Sequence, residues 1–252
     1  MISNASRQNS GRIFFAISLQ FMAISFQQFI ESPKSKLPHI LIVGYPLGHT
    51  LSPLMHNTAL QYHGIEAEYL AVELNPHELT RFISLCNSDA FLGCNITLPY
   101  KQELFQMADR VDPDASEIGA LNVLTRVKDQ LIGYNTDIHG FLKPLQKYAD
   151  EINGCRAIVF GTGGSSKAVC SGLFKMGAEE IIQVTRSPER KVSGRFREST
   201  RYVDYSQWTA FAEEATLFVN CTPLGMKPNL SASPVREEEA EHLQGKISYD
   251  LV

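Results

Sequence analysis

Short apolar runs, each closed by a glycine or a polar cluster, alternate along this chain with stretches whose apolar residues fall at helical spacing. HILIVG (His39–Gly44) is rich in β-branched residues and reads as a buried strand. In GYPLGHTLSPLMHN (residues 44–57), a turn rich in Gly and Pro leads to Pro53, where a helix through Leu54, Met55 and Leu60 can begin. EAEYLAVEL (66–74) reads as a strand, NPHELTRFISLC (75–86) as a helix with proline at its first position, and AFLGCNITL (90–98) as a strand again. This β-α-β-α-β order predicts a mostly parallel sheet covered by helices, with ligand chemistry at the carboxyl ends of the strands. LNVLTRV and QLIGYN predict a hairpin turning at Lys128 and Asp129. From Cys155 onward a buried strand, a glycine-rich turn, a helix stopped at Gly177 and a second strand predict a first βαβ unit of Rossmann type. TLFVN (216–220) and KISYDLV (246–252) add further strands.

The expected class is therefore α/β. At 252 residues and 44% hydrophobic content the chain suits two compact domains, an N-terminal α/β substrate domain over 37–137 and a Rossmann-type domain over 138–252. Residues 1–36 stand apart: Arg7 and Arg12 precede the first acid, Glu31, and the apolar run from Ile13 to Ile30 is interrupted by Ser and Gln. That run is too polar for a good membrane span and lacks the pure centre of a secretory signal, although its basic, serine-containing, acid-poor start partly fits a transit peptide. The expectation is a disordered extension, or sequence upstream of the true start. A net charge of −4 and pI near 6.0 leave no electrostatic footprint for nucleic acid or an anionic membrane, which points to small-molecule partners. Five widely spaced cysteines without a CxxC pair read as reduced thiols of a cytoplasmic protein, with no metal site.

Four stretches carry candidate chemistry. GCNITLPYKQ (93–102) ends a strand with an amide, a hydroxyl and an ammonium: Asn95 and Thr97, two apart, share one side of an extended segment, and Pro99 stops the strand ahead of Lys101. The alternative is a strand end with a solvated lysine. Thr50 and Ser52 lie just ahead of a helix N-terminus, where backbone N–H groups favour a carboxylate, unless Ser52 is a plain cap. In GTGGSSKA (161–168), Gly161 permits the tight turn, Gly163 and Gly164 let the backbone approach a pyrophosphate, and Ala168 allows close helix packing. At the end of the second strand, VTRSPER offers Thr185, Arg186, Ser187 and Arg190 where an NAD site would want an acid, so the reading is NADP.

Taken in order, these stretches resemble the shikimate dehydrogenase family from Ile40 to Val252. The resemblance implies that Thr50 and Ser52 hold a substrate carboxylate, that Asn95, Thr97, Asn122 of GALN and Asp137 of NTD hold its hydroxyls, and that Lys101 works with Asp137 in catalysis. It further implies NADP on Gly161, Thr162, Gly163, Gly164, Ser165, Thr185, Arg186, Ser187, Arg190 and Leu251, with Asn220, Thr222 and Gly225 near the nicotinamide half; a monomer or homodimer is expected. The implied reaction is reversible reduction of 3-dehydroshikimate to shikimate. A dehydrogenase that also takes quinate and a non-catalytic binding protein on the same fold are the alternatives. Three departures stand out: Thr50 replaces the family's usual serine, NTDIHG replaces its commoner NTDG pattern, and the chain stops where the family continues with a substrate-contacting tyrosine and terminal helices. A truncated chain is expected on that last point.

Overall fold

The computed structural model describes residues 22–48, 50–189, 198–226 and 229–251, in two compact units, Met1–Asn135 and Thr136–Val252. In the first unit β1 (Ile24–Ser25) and α1 (Phe26–Glu31) precede β2 (His39–Gly44), α2 (Ser52–Tyr62), β3 (Glu68–Glu73), α3 (Leu79–Cys86) and β4 (Phe91–Ile96). After β5 (Arg110–Val111) and α4 (Pro113–Ile118), β6 (Val123–Val127) and β7 (Gln130–Tyr134) form the hairpin, with Lys128 in the left-handed region (φ 56°). The sheet order is β1-β3-β2-β4-β6-β7-β5. β2, β3 and β4 are mutually parallel as the β-α-β-α-β pattern requires, and β6 joins β4 antiparallel.

Residues 22–36 correct the expectation of a disordered extension. β1 pairs parallel with β3, Ile24 opposite Val72, and Ser25 and Gln28 close a capping box that starts α1. Phe26 and Phe29, three apart and so on one helical face, are both fully buried. Phe26 meets Phe82 edge-on at 6.2 Å between centroids, and Phe29 meets His39 at 5.1 Å. The segment folds because it supplies two aromatic side chains to the core. Residues 1–21 lie outside the described part of the chain.

The second unit begins with α5 (Asp137–Leu145) and α6 (Ala149–Ile152), so the contact division falls two residues ahead of the expected boundary and leaves Asp137 in this unit. β8 (Arg156–Phe160), α7 (Gly164–Lys175), β9 (Glu180–Val184), β10 (Thr200–Val203), β11 (Ala215–Asn220) and β12 (Ile247–Asp250) follow. The five strands are all parallel, in the order β10-β9-β8-β11-β12. Ala157 and Val159 pack with α5 and α7 on one face, while Ile158 and Phe160 pack with Trp208 on the other. Burial on both faces is why RAIVF and EIIQV are nearly continuous apolar runs.

Candidate functional site

Strand order places the first unit's candidate residues at one end of its sheet. β2 and β4 run parallel with Val43 opposite Ile96, so the turn after Gly44 and the segment after Ile96 leave the sheet together. Tyr45 N–H donates to Leu98 O and Thr97 N–H to Val43 O, both at 2.9 Å, stitching the two exits to each other. Their contact also explains Gly44: a Cβ there would lie 2.5 Å from the Thr97 methyl. Asn122 precedes β6, whose Val123 pairs with Asn95, and its carbonyl accepts from Ile96 N–H at 2.8 Å. Lys101 sits in the turn that follows Pro99, and its carbonyl accepts from Leu121 N–H at 2.9 Å, tying the lysine turn to the loop that carries Asn122.

Thr50 and Ser52 occupy the approach to α2. Leu51 is the cap residue, without a side-chain cap bond, so Ser52 is the first helical residue rather than a plain cap. Its N–H donates to Thr50 Oγ1 at 3.2 Å. One residue of this region escaped the sequence reading. Tyr69, in β3, is buried and donates through its hydroxyl to Asn95 Oδ1 at 2.6 Å. A tyrosine inside EAEYLAVEL passes for a strand hydrophobe, and only the sheet order shows that its tip reaches β4.

In the second unit a cavity of about 540 Å³ opens where the strand order reverses, between β8 and β11. Of the expected cofactor residues, Gly161, Thr162, Gly163, Thr185, Arg186 and Thr222 line it. Gly161 has φ +101°, a conformation that favours glycine, and a Cβ there would lie 3.2 Å from the Thr222 methyl. The loop's carbonyls are tied inward: buried Gln183 donates to Gly161 O at 2.8 Å, and Ser166 Oγ donates to Gly163 O at 2.7 Å. That anchoring, which the sequence reading missed in IIQV, holds the glycine loop in place along the cavity.

Arg186 stands at the cavity wall near Tyr205, whose pKa is raised by burial and partly lowered again by the guanidinium. No carboxylate follows β9 before Glu189, and the carboxylate in the lining, Glu239, is paired with Arg236 at 2.5 Å, so the Arg186 side suits an anion and its donors fit a 2′-phosphorylated dinucleotide. Gly164 and Ser165 begin α7, and Ser187 donates its N–H to Thr185 Oγ1 at 3.3 Å; none of the three lines the cavity. Asn220 does not line it either. Its amide is spent on the loop, accepting from Thr222 N–H and Oγ1 at 2.9 and 2.7 Å and donating to Asp250 Oδ1 at 3.0 Å. Asn220 thus shapes the loop that presents Thr222. Leu251 is 41% exposed and outside the lining, and Arg190 lies outside the described residues. Cys221, Pro223 and Leu224 of the Thr222 loop also line it, and so do Tyr205, Ser233, Pro234, Arg236 and Glu239, which were not foreseen. Among the described residues no cluster of three His, Cys, Asp or Glu could hold a metal ion, and no helix is long and apolar enough to cross a membrane.

A five-stranded parallel sheet with a glycine loop at its switch point, together with a separate α/β unit carrying a polar site at its strand ends, defines a two-unit α/β protein of the dinucleotide-binding class. Residues 42–124 match the family model described as the shikimate dehydrogenase substrate binding domain. The shikimate dehydrogenase (NADP(+)) of Nostoc sp. PCC 7120 is 36% identical over 222 residues, covering 84% of this chain and 76% of that protein. The Synechocystis sp. PCC 6803 protein of the same name is 33% identical over 219 residues with the same coverage. Among solved structures, shikimate 5-dehydrogenase from Thermus thermophilus in complex with NADP(H) and shikimate aligns with TM-score 0.72 and 34% identity, covering 86% of this chain and 79% of that one. The chain belongs to the shikimate dehydrogenase family.

Proposed function

We propose that this protein is an NADP-dependent shikimate dehydrogenase, reducing 3-dehydroshikimate reversibly to shikimate. The observation that carries the reading is the gathering of Asn95, Thr97, Lys101 and Asn122 at the carboxyl end of β4, the place where an open α/β sheet puts its ligand chemistry. Similarity to enzymes named shikimate dehydrogenase (NADP(+)) supports the substrate and the cofactor. Within this reading Thr50 and Ser52 bind the substrate carboxylate, and Asn95, Thr97 and Asn122 bind ring oxygens. The Lys101 ammonium delivers a proton to the carbonyl oxygen and stabilises the negative charge that develops there. In the oxidation direction the same lysine takes the proton back, and because oxidation by NADP⁺ releases a proton overall, its yield is expected to rise with pH. The NTD motif gives Asp137 the task of orienting ring hydroxyls in concert with Lys101. NADPH, when bound, supplies the hydride. Gly161–Gly163, Thr185, Arg186 and Thr222 would hold it, with Asn220 positioning the Thr222 loop. The five free cysteines fit a reducing compartment, and we place the protein in the cytoplasm.

The test is direct. Purified chain mixed with shikimate and NADP⁺ is expected to form NADPH, followed by its near-ultraviolet absorbance. No NADPH from shikimate, at enzyme concentrations where a known shikimate dehydrogenase is readily detected, rejects the activity.

A further inference from the structure

Tyr69 is buried against the first unit's candidate site, with its hydroxyl on Asn95. It is 1% exposed, and Asn57 clamps its backbone, accepting from Tyr69 N–H and donating to Tyr69 O, both at 2.8 Å. Its ring stacks on His56, with centroids 4.3 Å apart and planes 14° from parallel. His56 and Asn57 both belong to α2, the helix that Ser52 begins. The stack and the backbone clamp hold the phenol on α2, with its oxygen against Asn95. Burial raises its pKa, the nearby Cys94 adds to the rise, and the hydrogen bond with Ser52 partly opposes it, so the group stays a protonated donor.

That arrangement decides which way the Asn95 amide faces. A phenol has one hydrogen to give. It goes to Asn95 Oδ1 at 2.6 Å, so the amide oxygen lies on Tyr69's side and the amide nitrogen faces away from it.

We propose that Tyr69 is a positioning residue that locks Asn95 with its amide hydrogens outward, making Asn95 a donor to a ring oxygen of the substrate, and that ties it to α2, the helix that Ser52 begins. The inference rests on the proposed function, because it needs a polyol acid in this site. Its consequence is metric: one phenol, held by His56 and Asn57 of the helix that Ser52 begins, sets where Asn95 stands relative to that helix. The spacing a ligand must match is thereby set by protein atoms that do not move.

Steady-state kinetics of four variants test it. Tyr69→Phe keeps the ring and its stack but frees the Asn95 amide, so KM for shikimate should rise about 3- to 10-fold, the value of one hydrogen bond. Turnover and KM for NADP⁺ should stay near wild type, the pattern of lost ground-state binding. In an Asn95→Ala background the same change should add nothing, since the residue it positions is gone. Asn95→Asp keeps the acceptor for Tyr69 and has no N–H to offer, so it should lose as much shikimate binding as Asn95→Ala. Wild-type KM in Tyr69→Phe, an equal rise with and without Asn95, or near-normal KM in Asn95→Asp each overturns the role. If Tyr69→Phe does not fold, the Asn95→Asp and Asn95→Ala comparison decides alone. A wild-type chain that makes no NADPH from shikimate instead overturns the proposed activity, and the positioning role falls with it.

Discussion

Replacing Phe29 by Ala tests whether the segment ahead of β2 is part of the first unit's core. Phe29 is fully buried, and its ring sits edge-on to His39, which in turn meets Phe91 at 6.1 Å. A buried Phe of roughly 200 Å² at about 25 cal/mol per Å² represents ~5 kcal/mol of burial, in line with the 3–5 kcal/mol typical of Phe→Ala in cores. A ceiling applies here, because the segment can undock. Releasing α1 recovers about 1–2 kcal/mol of backbone entropy per residue freed. The observed loss therefore cannot exceed the docking free energy of the segment, and about 2–4 kcal/mol is expected. Urea titration followed by far-ultraviolet circular dichroism measures it. The chain's single tryptophan, Trp208, is buried in the second unit, so its fluorescence gives an internal control. Its transition should keep its midpoint if that unit unfolds independently. Tyr62→Ala, at a residue 84% exposed, should change stability by less than about 0.5 kcal/mol. A Phe29→Ala loss that small would show that the aromatic face of α1 does not belong to the core.

Lys101→Ala should lower shikimate turnover by about 10²–10⁴-fold, the range for a lost general acid, while NADP binding measured by calorimetry stays intact. Arg186→Ala should erode the preference for NADP over NAD by a factor of tens to about a hundred, one charge-assisted interaction, with NAD use little changed; equal use of both cofactors by the wild type would refute the 2′-phosphate argument. His39 should make the fold acid-sensitive. Burial lowers its pKa below 6.5, against a hydrogen bond between Nδ1 and Leu37 O that raises it. The unfolded chain then binds the proton more readily than the folded one. Stability from this group is fully present above about pH 6.5 and declines as pH falls toward and through the lowered value, by at most ~1.4 kcal/mol per pH unit. Melting temperatures at pH 7.5 and 5.5 (about neutral and mildly acidic) should diverge less in His39→Leu than in wild type.

What the sequence made legible was whatever rests on unbroken local pattern. HILIVG, RAIVF and the glycine turn between RAIVF and α7 are read correctly because a strand buried on both faces leaves no room for polar residues. GCNITLPYKQ stood out because its polar groups cluster at a strand end. The segment of β1 and α1 was missed for the opposite reason. Ser25, Gln27 and Gln28 dilute the apolar run when it is judged as a membrane span or a signal, yet two phenylalanines three residues apart suffice for one buried helical face. Gln183 and Tyr69 were missed because their roles depend on which strand lies next to theirs. Gln183 looks like a flaw in EIIQV until the glycine loop is seen above it. TRYV, the β10 strand, is too short for periodicity to distinguish from a loop, and its pairing with β9 makes it a strand.

The seven-stranded sheet ends, at both margins, in a strand only two residues long, β1 on one side and β5 on the other. Without Ile24 and Ser25, the six-residue β3 would present a row of unpaired amides and carbonyls along that margin, a template on which another chain could lay a strand. The N-terminal segment covers two residues of that row and at once turns into α1, which rests against the same strand. Its contribution is thus to solubility as much as to the core: a chain lacking residues 22–36 is expected to self-associate through β3, and size-exclusion chromatography across a concentration series would register it as a shift to larger species.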